Sequence, residues 1–122
     1  IEGADGHSMR AVLDRVDLDR TVFHVITRAG ESVETLSAFL VLRDRLLSEL
    51  GAVEYVRHIL LTTDADAGPL RQIVNDEGLH ATDFPAGVAW HQAASCATHL
   101  LGALLVDIDV GGFLAGVRAM DA

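Results

Sequence analysis

A short segment near residue 30 combines hydroxyl, guanidinium and carboxylate side chains at the start of an expected helix. The segment, Thr27-Arg28-Ala29-Gly30-Glu31-Ser32, follows a β-branched and aromatic run, Thr21–Ile26. A loop that leaves a parallel strand and enters a helix presents free N–H groups and the positive end of the helix dipole, which together favour anions. The same residue types are also ordinary turn and cap residues, with Ser32 a possible N-cap. The pattern alone does not decide between two interpretations of this segment, an anion-binding site and a capped turn.

The histidines are the other side chains with obvious chemistry. His91 and His99 are eight positions apart, while His58 and His80 begin different predicted strands, so none of them has a spacing typical of metal ligands. We therefore expect no metal and no cofactor. His24 lies inside a predicted strand, where a hydrogen-bonded core histidine is the favoured interpretation.

Composition and charge exclude several classes of protein. The 122 residues suit one domain, and 50% apolar residues suffice for a core. Nine arginines and no lysine face eighteen carboxylates, a net charge of −9. An acidic surface repels phosphate backbones, so no nucleic-acid partner is expected. Without lysine, neither Schiff-base chemistry nor a phosphate-binding lysine is possible in this chain.

The apolar segments and the cysteine suggest a compartment. The longest apolar run, Leu100–Val106, is too short to span a bilayer, and no basic and apolar signal sequence opens the chain, so we expect no membrane partner. Cys96 is the single cysteine, interpreted as an inert core thiol, and it favours a reducing, cytoplasmic compartment. The chain begins with Ile1 rather than Met, which indicates a piece of something longer.

Apolar runs and helical stripes alternate along the chain. Buried strands are predicted at Val22–Ile26, at Ile59–Thr62 and near His80–Phe84. Helices are predicted over Gly6–Val16, Val33–Leu50, Leu70–Glu77, His91–Val106 and Val110–Met120. Because the connections are short, each helix serves as a crossover between parallel strands. The sequence predicts a three-layer α/β/α fold around a parallel sheet of about three strands.

This arrangement leaves apolar surface to be covered. Three parallel strands have an open edge, and His91–Val106 is apolar on nearly every side, which predicts a helix buried on most faces. We therefore expect the chain to associate with further copies of itself.

Four segments carry a resemblance to a known family. V-I-T-R-A-G-E-S-V-E-T (Val25–Thr35) is similar to V-I-S-K-S-G-T-T-T-E-T of bacterial glucose-6-phosphate isomerases, members of the sugar-isomerase (SIS) superfamily. Three further segments resemble motifs of the same family. Leu61–Gly78 is similar to V-T-D-x-x-x-G-x-L-R-x-x-x-x-x-E-G, and Phe84–His91 is similar to I-P-D-N-V-G-G-R. Asp107–Asp121 is similar to G-I-D-I-x-x-L-L-x-G-A-x-A-M-D. The segments align without gaps over most of the chain. The resemblance implies a flavodoxin-like SIS fold, with residues 1–122 forming a single, partial SIS-like domain that holds about the last three strands.

The resemblance also implies roles for residues of the first segment. In the family, hydroxyl groups and a lysine of this loop surround the sugar phosphate, and the corresponding phosphate-binding residues here are Thr27, Arg28, Ser32 and Thr35. Two differences weaken the site: Ala29 lacks a hydroxyl, and Glu31 places a carboxylate where the family has threonine. Trp90-His91 replaces the family's Gly-Arg, so His91 occupies the position of a catalytic cation, although an aromatic pair packing at a helix start is an equal interpretation.

Two functions compete at this point. One is part of a glucose-6-phosphate isomerase, which interconverts glucose 6-phosphate and fructose 6-phosphate in carbohydrate metabolism. The other is a non-catalytic SIS-like module with a structural or ligand-sensing role. In the family, the base Glu, the ring-opening His and a Lys lie in segments that this chain does not match. The sequence therefore predicts that the chain binds glucose 6-phosphate or fructose 6-phosphate and is inactive alone.

Overall fold

Three parallel strands form a single sheet. The computed structural model describes residues 5–28 and 30–120, with only the backbone at positions 90 and 91, and its strands are β1 (Phe23–Ile26), β2 (Ile59–Thr63) and β3 (His80–Asp83). β2 lies in the middle and pairs in parallel with both neighbours. The predicted α/β class and the parallel pairing of the three strands are therefore confirmed.

The described ranges contain five α-helices, of which the first precedes the strands and the others connect or follow them. They are α1 (Gly6–Leu13), α2 (Val33–Glu54), α3 (Pro69–Glu77), α4 (Ala97–Leu105) and α5 (Val110–Met120), with short 3-10 turns at Leu18–Arg20, Tyr55–His58 and Trp90–Ser95. Ser32 is the N-cap of α2, as predicted, and the helical path of α2 is interrupted at Gly51, where the sequence places its end. α3 begins at Pro69, whose ring suits a first helical position. No helix in the described ranges has the length and apolar character needed to cross a membrane.

The chain forms two compact units that divide after Phe84. In the first unit, the register places Phe23, Val25, Ile59, Leu61 and Ala81 on one face of the sheet. That face belongs to the hydrophobic core, together with buried side chains of α1, α2 and α3 and of the segments that join the elements: Met9, Leu13, Leu18, Phe39, Leu42, Leu46, Tyr55, Leu70, Val74 and Leu79. Burial and close packing of these side chains fix the positions of the strand ends and the helix starts of this unit relative to one another.

The opposite face of the same sheet carries a polar row. His24 Nε2 lies 2.7 Å from Thr62 Oγ1, which lies 2.7 Å from Thr82 Oγ1. His24 is thus a hydrogen-bonded histidine in a strand, as predicted. Because Thr62 is only 1% exposed, its hydroxyl needs these partners to compensate for lost hydration.

The second unit differs from the prediction. Instead of one helix over His91–Val106, a 3-10 turn covers Trp90–Ser95, the backbone is extended at Cys96, and α4 begins at Ala97. The expected burial on most faces is also wrong, since Thr98 is the buried residue of α4 and several of its leucines are exposed. The start of this helix could not be predicted because its small apolar residues lie on all sides, so the sequence shows no boundary between a polar and an apolar face. Cys96 is half-buried rather than enclosed in a core.

Candidate functional site

The loop after β1 is fixed to the carboxyl end of β2 by its first residue. The Thr27 backbone N–H donates to the Thr62 carbonyl at 2.9 Å, which continues the pairing beyond β1. Thr27 is 8% exposed, and its Oγ1 accepts the Gly30 N–H at 3.1 Å. The hydroxyl therefore stabilises the turn, and its own proton can still be donated, since a hydroxyl is both donor and acceptor. The turn role and the anion role of Thr27 are compatible.

Arg28 has a fixed backbone and an exposed side chain. Its carbonyl accepts two hydrogen bonds from the end of β2, from the Asp64 N–H at 2.7 Å and from Thr63 Oγ1 at 3.2 Å. Among residues 5–28 and 30–120, no ion pair involves the Arg28 guanidinium. The loop thus presents a positive group from an anchored position, which is the geometry that anion recognition needs.

Ser32 and Thr35 lie at the start of α2 and contact each other. Ser32 Oγ accepts the Thr35 N–H at 3.4 Å, and the Thr35 hydroxyl donates to the same oxygen at 3.4 Å. Ser32 Oγ in turn donates to Glu34 Oε2 at 2.7 Å, and this bond lowers the pKa of the Glu34 carboxyl. With Glu34 charged, the Ser32 proton is engaged inside the loop, so an incoming anion competes with a carboxylate for it.

Close packing against α3 sets the path of the loop. Gly30 has φ +65°, and a Cβ there would lie 2.9 Å from Leu70 Cβ. A side chain at this position would meet both a strained backbone and a buried leucine. The glycine of the sequence motif is therefore required by the distance between the loop and α3, while Ala29 beside it lies outside the described residues.

Thr27 and Arg28 lie in the loop after β1, Ser32 is the N-cap of α2, and Thr35 lies in the first turn of that helix. Their role in phosphate binding stays a prediction. The side chain of His91 lies outside the described residues. No group of three or more His, Cys, Asp or Glu side chains in the described part of the chain is arranged to hold a metal ion.

Sequence reasoning missed three residues that contact this loop or hold its anchoring residues, namely Glu34, Thr63 and Arg71. Glu34 had a signal, since it stands two positions after the Ser32 cap, within reach of its hydroxyl. The signal for Arg71 was weaker: this residue lies in the first turn of the helix that follows the neighbouring strand, and so at the same edge of the sheet.

The fold and the loop together define a class: a parallel α/β domain with a strand-to-helix loop of hydroxyls and one exposed arginine. The comparisons agree with this class. The chain is 35% identical over 116 residues to a probable glucose-6-phosphate isomerase of Halobacterium salinarum, covering 95% of this chain and 26% of that protein. It is 30% identical over 119 residues to a glucose-6-phosphate isomerase of Carboxydothermus hydrogenoformans, covering 98% of this chain and 25% of the relative. No family model matches the chain.

A solved structure extends the likeness to three dimensions. A crystal structure of a hypothetical protein from Thermus thermophilus matches with a TM-score of 0.90 and 28% identity, covering 97% of this chain and 28% of that one. The chain spans about a quarter of the length of the curated relatives it matches. The resemblance to part of a glucose-6-phosphate isomerase, expected from four short motifs, is thus confirmed over nearly the whole chain.

Proposed function

We propose that this chain is a sugar-phosphate-binding, SIS-like portion of a glucose-6-phosphate isomerase, a single partial domain acting in cytoplasmic carbohydrate metabolism. The observation that carries the proposal is the anchored loop Thr27–Thr35 at the start of α2, in a chain similar to these isomerases over about 95% of its length. The ligand is glucose 6-phosphate or fructose 6-phosphate, whose phosphate group would face the α2 N-terminus and the Arg28 guanidinium.

Binding by this loop requires a rearrangement of hydrogen bonds. The Thr35 hydroxyl donates to Ser32 Oγ, and the Ser32 hydroxyl donates to Glu34, so the phosphate must draw the Ser32 proton away from the carboxylate. Glu31 adds a second exposed carboxylate to the loop. Two negative charges beside one positive charge predict weak binding.

NMR titration of the labelled chain with glucose 6-phosphate is the direct experiment. We expect amide shifts centred on residues 27–36 at millimolar ligand, with no shifts from glucose, which lacks the phosphate. Arg28→Gln should abolish the shifts, whereas Arg20→Gln, which also removes an exposed positive charge, should leave them intact. Shifts confined to other loops, or no shifts at all, would reject the site.

The proposal includes inactivity of the chain alone. Moving a proton between C1 and C2 of the sugar requires a positioned base and a positive group beside the developing oxyanion, each contributing about 10²–10⁴ in rate. The position that resembles the family's arginine holds His91, and the chain has no lysine. A coupled assay of fructose 6-phosphate conversion should give only background, and turnover near about 1 s⁻¹ would contradict this part of the proposal.

We also propose that the chain forms a homodimer through the second unit. Five apolar residues around the link between α4 and α5 are 45% to 70% exposed: Leu104, Leu105, Val106, Ile108 and Phe113. Apolar surface of this kind favours association. Sedimentation at high micromolar concentration should show a dimer that Leu105→Glu dissociates, with Val53→Glu on α2 as the control at another exposed apolar position. If the parent chain is monomeric, the proposed homodimer is wrong, and the proposal of sugar-phosphate binding is not affected.

A further inference from the structure

Arg71, in the first turn of α3, contacts the ends of two strands. Its side chain is 13% exposed. The guanidinium donates from Nε to the Asp64 carbonyl at 2.8 Å, and from one terminal nitrogen to the Thr63 carbonyl at 3.3 Å and to Asp83 Oδ1 at 2.7 Å. One planar cation therefore joins the carboxyl end of β2 to the last residue of β3.

The peptide units that Arg71 holds are the ones that anchor the candidate phosphate loop. Thr63 and Asp64 offer their carbonyls to the guanidinium, while the Asp64 N–H and the Thr63 hydroxyl both donate to the Arg28 carbonyl. The residue before Arg71, Leu70, is fully buried and packs against Gly30. Two consecutive residues of α3 thus support the loop, one by packing and the other through hydrogen bonds.

We propose that Arg71 is a positioning residue for phosphate binding, an inference that rests on the proposed function. Its role is to keep Thr63 and Asp64 in the orientation that fixes the Arg28 backbone, so that the loop is ordered before a ligand arrives. A preorganised loop binds more tightly because less conformational entropy is lost on binding. Arg71 acts through Asp64 and Arg28 and makes no contact with the phosphate.

Positioning and simple charge attraction give different results on substitution. Lysine keeps the positive charge but lacks the planar fork that reaches two carbonyls and a carboxylate at once. If Arg71 acts by geometry, Arg71→Lys should weaken glucose 6-phosphate binding about as much as Arg71→Met, by about tenfold, because a charged hydrogen-bond network is lost in both. If Arg71 acts by charge, Arg71→Lys should bind normally, and that result would overturn the inference.

The experiment combines affinity with a local readout that needs no ligand. We expect hydrogen exchange of the Asp64 amide, measured by NMR, to accelerate about tenfold in Arg71→Met and Arg71→Lys as the acceptor Arg28 carbonyl loses its fixed position. Arg57→Met removes an exposed arginine paired with Glu54 and should leave both readouts unchanged. Asp83→Asn retains both carbonyl acceptors and should have a smaller effect than either change at Arg71, which provides a second, milder variant if the Arg71 variants fold poorly.

The outcomes separate this inference from the proposed function. If the parent chain shows no shifts with glucose 6-phosphate, the proposed function fails, and the inference fails with it. If the parent chain binds while Arg71→Met binds equally well with unchanged Asp64 exchange, the inference alone is wrong. Weaker binding together with faster Asp64 exchange in both Arg71 variants would support it.

Discussion

The chain contains two consecutive strand–loop–helix segments that share one architecture and differ in chemistry. The first, β1 followed by α2, begins its helix with a serine whose oxygen accepts a backbone N–H, and its loop carries Thr27 and Arg28. The second, β2 followed by α3, has Gly68 as N-cap without a side-chain hydrogen bond and begins with Pro69, which has no N–H. Its loop carries Asp64 and Asp66 instead of a cation.

The difference in residues between the two segments indicates that they have different roles. A helix start with backbone N–H groups, hydroxyls and an arginine suits an anion, whereas one with a proline and two aspartates does not. The second segment contributes support, through Leu70 against Gly30 and through Arg71 at the end of β2. The first strand–loop–helix segment therefore provides a candidate binding loop, and the second segment supports that loop.

The largest expected effect comes from filling the gap between the two segments. Gly30→Ala combines φ +65° with a Cβ 2.9 Å from Leu70, and we expect it to cost about 2–4 kcal/mol of unfolding free energy, summing backbone strain and overpacking. Gly78→Ala is the matched control, since it has φ +68° and no atom within 4 Å of the added Cβ. It should cost about 1–2 kcal/mol, from strain alone. Denaturant unfolding of both variants measures the difference, and equal losses would show that the contact with Leu70 does not constrain the loop.

The next effect concerns the ion pair that joins α2 to α3. Arg43 donates to both carboxylate oxygens of Glu77, at 2.5 and 2.8 Å, and the Tyr55 hydroxyl donates to the same carboxylate. The bond from Arg43 is the main cause that lowers the pKa of Glu77 below its usual 4.5. The unfolded state therefore binds more protons in this range, so the contribution of Glu77 to stability is present above about pH 4.5 and is lost as the pH falls through the lower folded-state pKa.

Glu77→Gln tests this linkage. We expect a loss of about 1–3 kcal/mol at pH 7, since a partly buried charged network loses one partner, and a weaker dependence of unfolding free energy on pH below 4.5. Glu49→Gln removes a partner of Arg45 that is more exposed than Glu77, and it should cost less than about 0.5 kcal/mol. Urea unfolding at a series of pH values between about 3 and about 7 provides the measurement. An unchanged pH profile in Glu77→Gln would show that the pair contributes no net stability.

The elements were predictable from the sequence because apolar spacing records which side of each element is buried. The strands begin and end within one or two residues of their predicted positions, and α3 begins one residue before its predicted start at Leu70. The segment 91–106 was not predictable in the same way. Its small apolar residues lack a polar face, so the pattern revealed neither the extended break at Cys96 nor the exposure of Leu104 and Leu105.

The position of the candidate site was predictable from the sequence, but the prediction did not include all of its residues. A loop between a parallel strand and a helix is an anion-binding location by geometry alone, which is why Arg28 and Ser32 could be singled out. For Arg71 the sequence indicates only a position at the same edge of the sheet. Its contacts with Thr63, Asp64 and Asp83 were not predictable, because they depend on how α3 lies against two strand ends. Periodicity identifies the faces of elements and contains no information about a single long side chain that crosses between them.

The smallest effect concerns the negative charge in the first loop. Glu31→Thr introduces the residue that the resembled family has at this position and removes an exposed carboxylate from the segment that carries Arg28. We expect glucose 6-phosphate to bind about two- to fivefold more tightly at low ionic strength, with the gain shrinking at high salt as exposed charges are screened. Asp66→Asn removes one exposed charge from the second loop and should change the affinity less, because Asp66 is in the supporting segment.

The comparison of Glu31 and Asp66 decides whether the two loops differ in function or only in sequence. Both substitutions change the net charge by the same amount, so an effect of overall charge would raise the affinity equally in both variants. A gain confined to Glu31→Thr, measured by NMR titration at two salt concentrations, would place the ligand at the first loop. Equal gains would instead indicate that the phosphate responds to the acidity of the whole surface, and the distinction between a binding loop and a supporting loop would fail.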